Sequence, residues 1–158
     1  MFKITVEVKE KIVTDATHNK IMRQMMFEAA VKYKERTFPK LFEDIPATRT
    51  GGTYGYKARR KKYQRRKEKE KGHRKPFVFD GRFARDLIAS TRIKATPNKW
   101  TLRGRFSGRG LKGSQQAQFK RELSAVSPAE IQDIIRWMRK RYVELANRPE
   151  NQRQRTHR

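Results

Sequence analysis

Thr91-Arg92-Ile93-Lys94-Ala95-Thr96-Pro97-Asn98-Lys99-Trp100-Thr101-Leu102-Arg103-Gly104-Arg105-Phe106 reads as a β-hairpin. Thr91 to Thr96 makes one strand and Pro97-Asn98 the turn. Trp100, Leu102 and Phe106 alternate with Thr101, Arg103 and Arg105 on the return strand. The alternation puts Trp100 in a sheet core. A loop, Ser107 to Ser114, follows.

Outward from the hairpin, a second alternating stretch stands at the start of the chain. Phe2, Ile4, Val6 and Val8 interleave with Lys3, Thr5, Glu7 and Lys9, the pattern of a half-buried strand. A helix capped by Thr14 or Asp15 comes next, with Ile21, Met22, Met25, Met26, Ala29, Ala30 and Tyr33 on one face. The methionines are adaptable core packing. Pro39 lies just past the end of this helix. Residues 39–56 read as a loop or short strand, with a turn at Gly51-Gly52 and a short exposed strand at Tyr54 and Tyr56.

Downstream of the hairpin, Ser127, Pro128 and Glu130 form a capping-box signature. It opens a helix with the stripe Ile131, Ile134, Ile135, Met138, Tyr142 and Leu145, stopped by Pro149. Just before the hairpin, Asp80 is the expected N-cap of a short helix carrying Phe83, Leu87 and Ile88 on one face. The fold class is therefore α+β, a small antiparallel sheet with two long amphipathic helices packed on it. The expected order is strand, long helix, basic connector, short helix, hairpin, long helix. Residues 1–148 form a single domain, with residues 57–75 as an inserted basic arm or loop. Residues 149–158 form a polar C-terminal tail, disordered in isolation.

Composition narrows the function. The 158 residues hold 41 Lys+Arg against 16 Asp+Glu, a net charge of +25, and the pI is about 11.0. An apolar share of 35% is low for a packed globule, so charge of this size calls for a polyanion. The basic residues gather in stretches poor in apolar residues, which ranks nucleic acid above an acidic membrane surface. No apolar run approaches the roughly 20 residues that span a bilayer. The alternating start, Met1 to Lys9, is no signal-peptide core, so secretion is not expected. There are no cysteines, which excludes disulfides, thiolate metal sites and cysteine nucleophiles.

Catalysis finds little support. His18, His73 and His157 are far apart in sequence, and none has a second ligand at metal spacing. Glu68 and Glu70 sit among lysines, where salt pairing accounts for them. A basic nuclease would need carboxylates around two metal ions about 4 Å apart. Asp80, Asp86 and Asp133 have no evident partners for that. No Gly-rich nucleotide loop is present. No catalytic residue, metal or other cofactor is expected.

The strongest functional signal is the basic run from Lys57 to Lys75. It reads either as a solvated helix with Glu–Lys pairs or as an arm ordered by its partner, and Gly72 ends it. Solvated faces normally mix signs, whereas this one is dominated by cations. The residues expected to face nucleic acid are Arg59, Arg60, Lys61, Lys62, Arg65, Arg66 and Lys67, with contacts mostly to phosphates. A second group, Arg103, Arg105, Arg109 and Lys112, lies on the hairpin exit. There Gly104, Gly108 and Gly110 permit close approach to a backbone. Trp137 falls off the Ile131–Ile135–Met138 stripe and is the candidate subunit contact.

Gly72-His-Arg-Lys-Pro-Phe-Val-Phe-Asp-Gly-Arg-Phe-Ala-Arg-Asp-Leu-Ile88 resembles a segment of tailed-bacteriophage neck and tail-completion proteins. In that family a Pro-Leu-Val run is followed by Thr-Gly-Arg-Leu, a polar pair and a Ser-Ile-like ending. Here Phe77 stands for the Leu, Asp80 for the Thr and Phe83 for the second Leu, and a hairpin follows. Tyr56, Lys57 and Tyr63 in a Lys/Arg-rich run also resemble a phage or prophage subset. The resemblance implies a small α+β subunit without enzymatic activity. It implies a homo-oligomeric ring at the head–tail junction or tail end, in contact with neighbouring neck or tail proteins and located in the virion. Read from composition alone, an RNA-binding protein of a ribosome-like particle is the alternative.

Overall fold

Three stretches of alternating residues meet in one sheet. The computed structural model describes residues 2–7, 16–42, 60–73, 82–105 and 113–152. Strand β1 is Phe2–Glu7, β2 is Arg92–Thr96 and β3 is Lys99–Gly104. All pairing is antiparallel, in the order β1-β3-β2, so the hairpin's return strand is central and the N-terminal strand closes against it. The turn at Pro97-Asn98 is held by Thr96, whose hydroxyl donates to Asn98 Oδ1 (3.0 Å) and to the Lys99 carbonyl (3.2 Å).

The two-residue side-chain period separates the sheet into unlike faces. Ile4 is opposite Leu102, which is opposite Ile93; Val6, Trp100 and Ala95 form the adjacent row. Phe2 is opposite Gly104. These rows make the core face, on which Phe2, Ile4, Trp100 and Leu102 are buried. The other face carries Lys3, Thr5 and Glu7 with their partners.

Gly104 is required by this register. A Cβ there would lie 1.9 Å from Cε1 of Phe2, so the Phe2 ring occupies the space a side chain would take. The ring stacks on Phe38 at 5.3 Å, and Phe38 meets Phe42 edge-on at 5.8 Å. The sequence reading gave Gly104 to a ligand backbone; the structure gives it to the core.

Helix α1, Ala16–Lys32, carries its whole expected stripe inward: Ile21, Met22, Met25, Met26, Ala29 and Ala30 are all buried, and so is Tyr33 just beyond. Its expected caps, Thr14 and Asp15, lie outside the described residues. The helical path then widens into a π-turn at Tyr33–Thr37, with the Phe38 N–H donating to the Tyr33 carbonyl, and tightens into a 3-10 helix at Phe38–Phe42. Pro39 has no N–H to give to a carbonyl one turn back, so the α-helical ladder cannot run through it. The chain nonetheless stays helical, which corrects the loop or strand expected from residue 39 onward; Phe38, Leu41 and Phe42 are thereby buried. Gly51, Gly52, Tyr54 and Tyr56 lie outside the described residues. Tyr33 packs on Trp100, with ring centroids 5.4 Å apart. Burial pushes its phenol pKa well above the usual tyrosine range.

The basic run forms helix α2, Lys61–Lys71, ended by Gly72 in the left-handed conformation (φ 69°). Helix α3, Arg82–Ser90, buries Leu87 and half-buries Phe83 and Ile88, as expected, although Asp80 lies outside the described residues. It stops at Thr91, whose hydroxyl donates to the Leu87 carbonyl (2.7 Å).

Helix α4, Gly113–Leu123, was not foreseen. Leu123 is buried and Phe119 meets Phe83 edge-on at 6.4 Å. With only those two large apolar residues, the segment gives no stripe to read. Its signal is propensity alone, in the run Gln115 to Leu123.

Helix α5, Pro128–Ala146, begins with the expected capping box: the Ser127 hydroxyl accepts from the Glu130 N–H (3.2 Å), and the Glu130 carboxylate accepts from the Ser127 N–H (2.8 Å). Ile134, Met138 and Leu145 are buried, but Ile131 is exposed, because the stripe is wider than the surface α1 covers. Arg141 clamps the two helices, donating to both oxygens of Glu28 (2.5 and 3.1 Å). Pro149 does not simply stop α5. It opens a short helix, α6, at Pro149–Gln152, and Asn151 is buried there with its amide donating to the Leu145 carbonyl (2.7 Å). The expected free tail is thus fixed through residue 152; residues 153–158 lie outside the described residues.

Two outcomes follow for stability. Gly104→Ala forces the Phe2 ring off its seat and should lower unfolding free energy by about 1–3 kcal/mol in urea titrations. The Arg141 hydrogen bonds hold the Glu28 carboxyl below its ordinary value of 4.5. A depressed folded pKa stabilises above the unfolded value, and that stability is lost as pH falls through the folded one. Melting temperature against pH should therefore fall less steeply below about pH 4.5 in Glu28→Gln than in the wild type.

Candidate nucleic-acid interface

Helix α2 is polar all round, apart from a narrow strip. Lys61, Lys62, Tyr63, Arg65, Arg66, Glu68, Lys69, Glu70 and Lys71 are exposed, and only Gln64 and Lys67 are covered. A helix without an apolar stripe gains little from packing, and α2 has no extended contact with any other described element. Such helices persist through side-chain pairs or through a partner. Arg66 Nε donates to Glu70 Oε1 (2.6 Å). Glu70 raises the Arg66 pKa further, but both side chains face water, and such pairs contribute little and open readily.

The charge on α2 is arranged against its own helix. Arg60 occupies the N-cap without a side-chain hydrogen bond, and the first turn holds Lys61 and Lys62 with no acid. The amide dipoles already place partial positive charge there. The cations therefore concentrate potential at one end instead of neutralising it. That end is suited to an anion.

The sequence-derived site residues divide as follows. Arg60, Lys61, Lys62, Arg65 and Arg66 are exposed on α2. Lys67 is not: it is 3% exposed, with its ammonium 5.9 Å from the ring centroid of Tyr63, one turn back. Its place in the covered strip and over that ring removes it from the candidate surface. Arg59, Arg109 and Lys112 lie outside the described residues, as do Gly108 and Gly110.

Arg103 is exposed on the open face of the sheet, with Lys3 and Arg92 directly opposite it on either side. Neither neighbour was singled out from sequence, because registers between distant strands cannot be read from one strand at a time. Arg105 is also exposed, and its carbonyl accepts from Ser90 Oγ (3.3 Å).

Trp137 is half-buried against the core, with Lys32 Nζ 5.5 Å from its ring centroid. A more open apolar feature lies nearby, a groove of about 690 Å³ between the end of β1, α1 and α5. Val6, Met22, Met25 and Met138 form its floor, and Ile131 and Val143, 38% and 56% exposed, stand at its rim.

The groups considered for catalysis stay apart. His18 Nδ1 lies 3.0 Å from the Tyr142 hydroxyl, in the α1–α5 contact. Asp133 pairs with Arg136 on α5, and Asp86 is exposed on α3. No cluster of His, Asp and Glu that could hold a metal ion occurs among the described residues. None of the described helices is long and apolar enough to cross a membrane. No family model, curated protein or solved structure matches the chain.

The first turn of α2 is open to a direct check. Lys62→Glu adds an acid at the positive helix end and an i,i+4 partner for Arg66. Hydrogen exchange from α2 amides should slow, by about 0.3–1 kcal/mol of local opening, while affinity for duplex DNA falls. A purely solubilising helix would show the first change without the second.

Proposed function

We propose that this chain is a non-catalytic structural subunit of a tailed-bacteriophage particle. It is a neck or tail-completion protein that forms a homo-oligomeric ring in the virion and turns a basic surface toward the packaged nucleic acid. The observation that carries the reading is α2. All its cations but Lys67 are exposed, they outnumber its acids, and Arg60, Lys61 and Lys62 stand without an acid at the helix end that repels them most. A free globule gains nothing from that arrangement, whereas a polyanion passing the subunit compensates it.

Two further features support the particular setting. The segment from Gly72 to Ile88, with the resemblance described above, runs into α3 and directly on into the hairpin, the order found in the neck and tail-completion family. The layout that the resemblance implies, an amphipathic N-terminal helix on an antiparallel sheet, agrees with α1 packed on β2 and β3. The groove between α1 and α5 offers apolar rim residues for contact between neighbouring subunits or with other neck or tail proteins.

The reading assigns the two basic regions to phosphates and the groove to assembly. Contacts to phosphates carry no sequence information, as suits a subunit through which a whole genome passes.

Native mass spectrometry at moderate salt, after nuclease treatment, tests this reading. A closed ring of identical subunits is expected, and Ile131→Asp with Val143→Asp should release folded monomers. A monomeric wild type that binds RNA with a steep salt dependence would overturn it in favour of a ribonucleoprotein component.

A further inference from the structure

We propose that the outer face of the sheet is itself a phosphate-binding surface for a nucleic-acid backbone, with Lys3, Arg103 and Arg92 as its central row. This deepens the reading given above and rests on it: the partner is the same polyanion, and the site is new.

The register builds the row. Lys3 is paired with Arg103, and Arg103 with Arg92, so three cations stand directly opposite one another across all three strands. Adjacent strands are about 4.7–4.9 Å apart, so the row is about 10 Å long. All three side chains are exposed, and none has an ion-pair partner among the described residues. The next row is Thr5, Thr101 and Lys94, which adds a cation; Thr101 is buried, with its hydroxyl 3.4 Å from that of Thr5. At the far end Glu7 is opposite Lys99, so charge there is balanced. Positive potential is therefore graded along the face and highest where β3 ends, and exposed Arg105 extends that end.

Two plainer explanations fail. Cations on edge strands guard against pairing with other chains, and Lys3, Arg92 and Lys94 sit on edges. Arg103 is on the central strand, which has no free edge to guard. Solubility requires charge but not like charge in register, and like charges directly opposite destabilise a sheet. A row of phosphates turns that repulsion into attraction, and two guanidiniums supply paired donors suited to phosphate oxygens.

The face also indicates how the ligand is read. Lys3, Thr5, Glu7, Arg92, Lys94, Thr96, Lys99, Thr101 and Arg103 include no aromatic residue. Among these residues bases have nothing to stack on, so binding is to backbone, without sequence preference and with strong salt dependence.

The test is equilibrium binding of random-sequence duplex DNA across a salt series. It compares the wild type, a face variant (K3Q/R92Q/R103Q) and an α2 variant (K61Q/K62Q/R65Q). Each lost phosphate contact should make the slope of log K against log salt shallower by about 0.9. The face variant is expected to lose about 2 to 3 in slope, equally for different sequences, with an unchanged or higher melting temperature. R92K/R103K should retain most of the slope; it keeps the charge and covers the case in which the glutamine variant folds poorly. The inference is overturned if the face variant binds with wild-type slope while the α2 variant does not, an outcome that leaves the proposed function standing. It is likewise overturned if DNA binding survives but ring assembly is lost, which would make the face a protein contact. A wild type that binds no DNA at any salt removes the nucleic-acid reading and this inference together.

Discussion

The rest of the fold depends on the Phe2 ring lying across Gly104. The hairpin alone is a two-stranded ribbon, marginal by itself in water. It becomes a sheet when a strand from the far end of the chain closes on β3, anchored by the buried Phe2 and Ile4. The ring fits because position 104 has no side chain, and it then meets Phe38, which the π-turn and 3-10 helix bring back over the sheet. Tyr33 on Trp100 makes a second contact of the same kind two rows along. The irregular end of α1 is thus where helix and sheet are joined, and a regular helix could not have aimed Tyr33 and Phe38 at two different strands.

Closure of this kind covers one face. A three-stranded sheet with α1 across it buries a single layer, and an apolar content of 35% supplies no second one. The other face, exposed at Lys3, Arg103 and Arg92, had to be polar there; it did not have to be basic. That it is basic, with cations in register across three strands, is a separate choice by the sequence. Helix α2 makes the same choice in another way, by placing Arg60, Lys61 and Lys62 without an acid at the end of the helix that favours cations least. Both arrangements cost the isolated subunit stability. Natural sequences are locally consistent except where function intervenes, and the polyanion proposed above would offset both departures at once.

Legibility from sequence followed the length and purity of each pattern. The hairpin, β1, the α1 stripe and the Ser127 capping box each depend on residues within one turn or one strand of each other, and each was readable. Helix α4 was not, because Phe119 and Leu123 are too few to make a stripe. The 3-10 helix after Tyr33 was hidden by Pro39, which ends an α-helix but can be accommodated in a tighter one. Asn151 looked like tail because a polar residue gives no sign that its amide will satisfy a carbonyl six residues back. Of the candidate site, Arg103 was visible, but Lys3 and Arg92 were not, since their meaning arises only when strands from opposite ends of the chain are set in register. Lys67 failed in the other direction: composition marked it as one cation among many, and only the covered strip of α2 distinguishes it.

The division of labour within the molecule follows from these constraints. Phe27 and Tyr63 are exposed elsewhere, but two other exposed apolar residues share one place. Ile131 and Val143 stand together at the rim of one groove between α1 and α5. Exposed cations stand on α1, α3, α4 and α5 as well as on the sheet face and α2, and on the sheet face three of them lie in one register row. The core elements that line the groove are the ones the Arg141–Glu28 clamp holds rigid. By contrast, α2 has no stripe to hold it and owes its order to local pairs and its Gly72 cap. Rigid apolar surface suits contacts that must fix a geometry between subunits. Charged surface on a loosely held helix suits a ligand whose phosphates recur along its length and need not be met at one fixed point. On the proposed reading, the first would serve assembly and the second a polyanion.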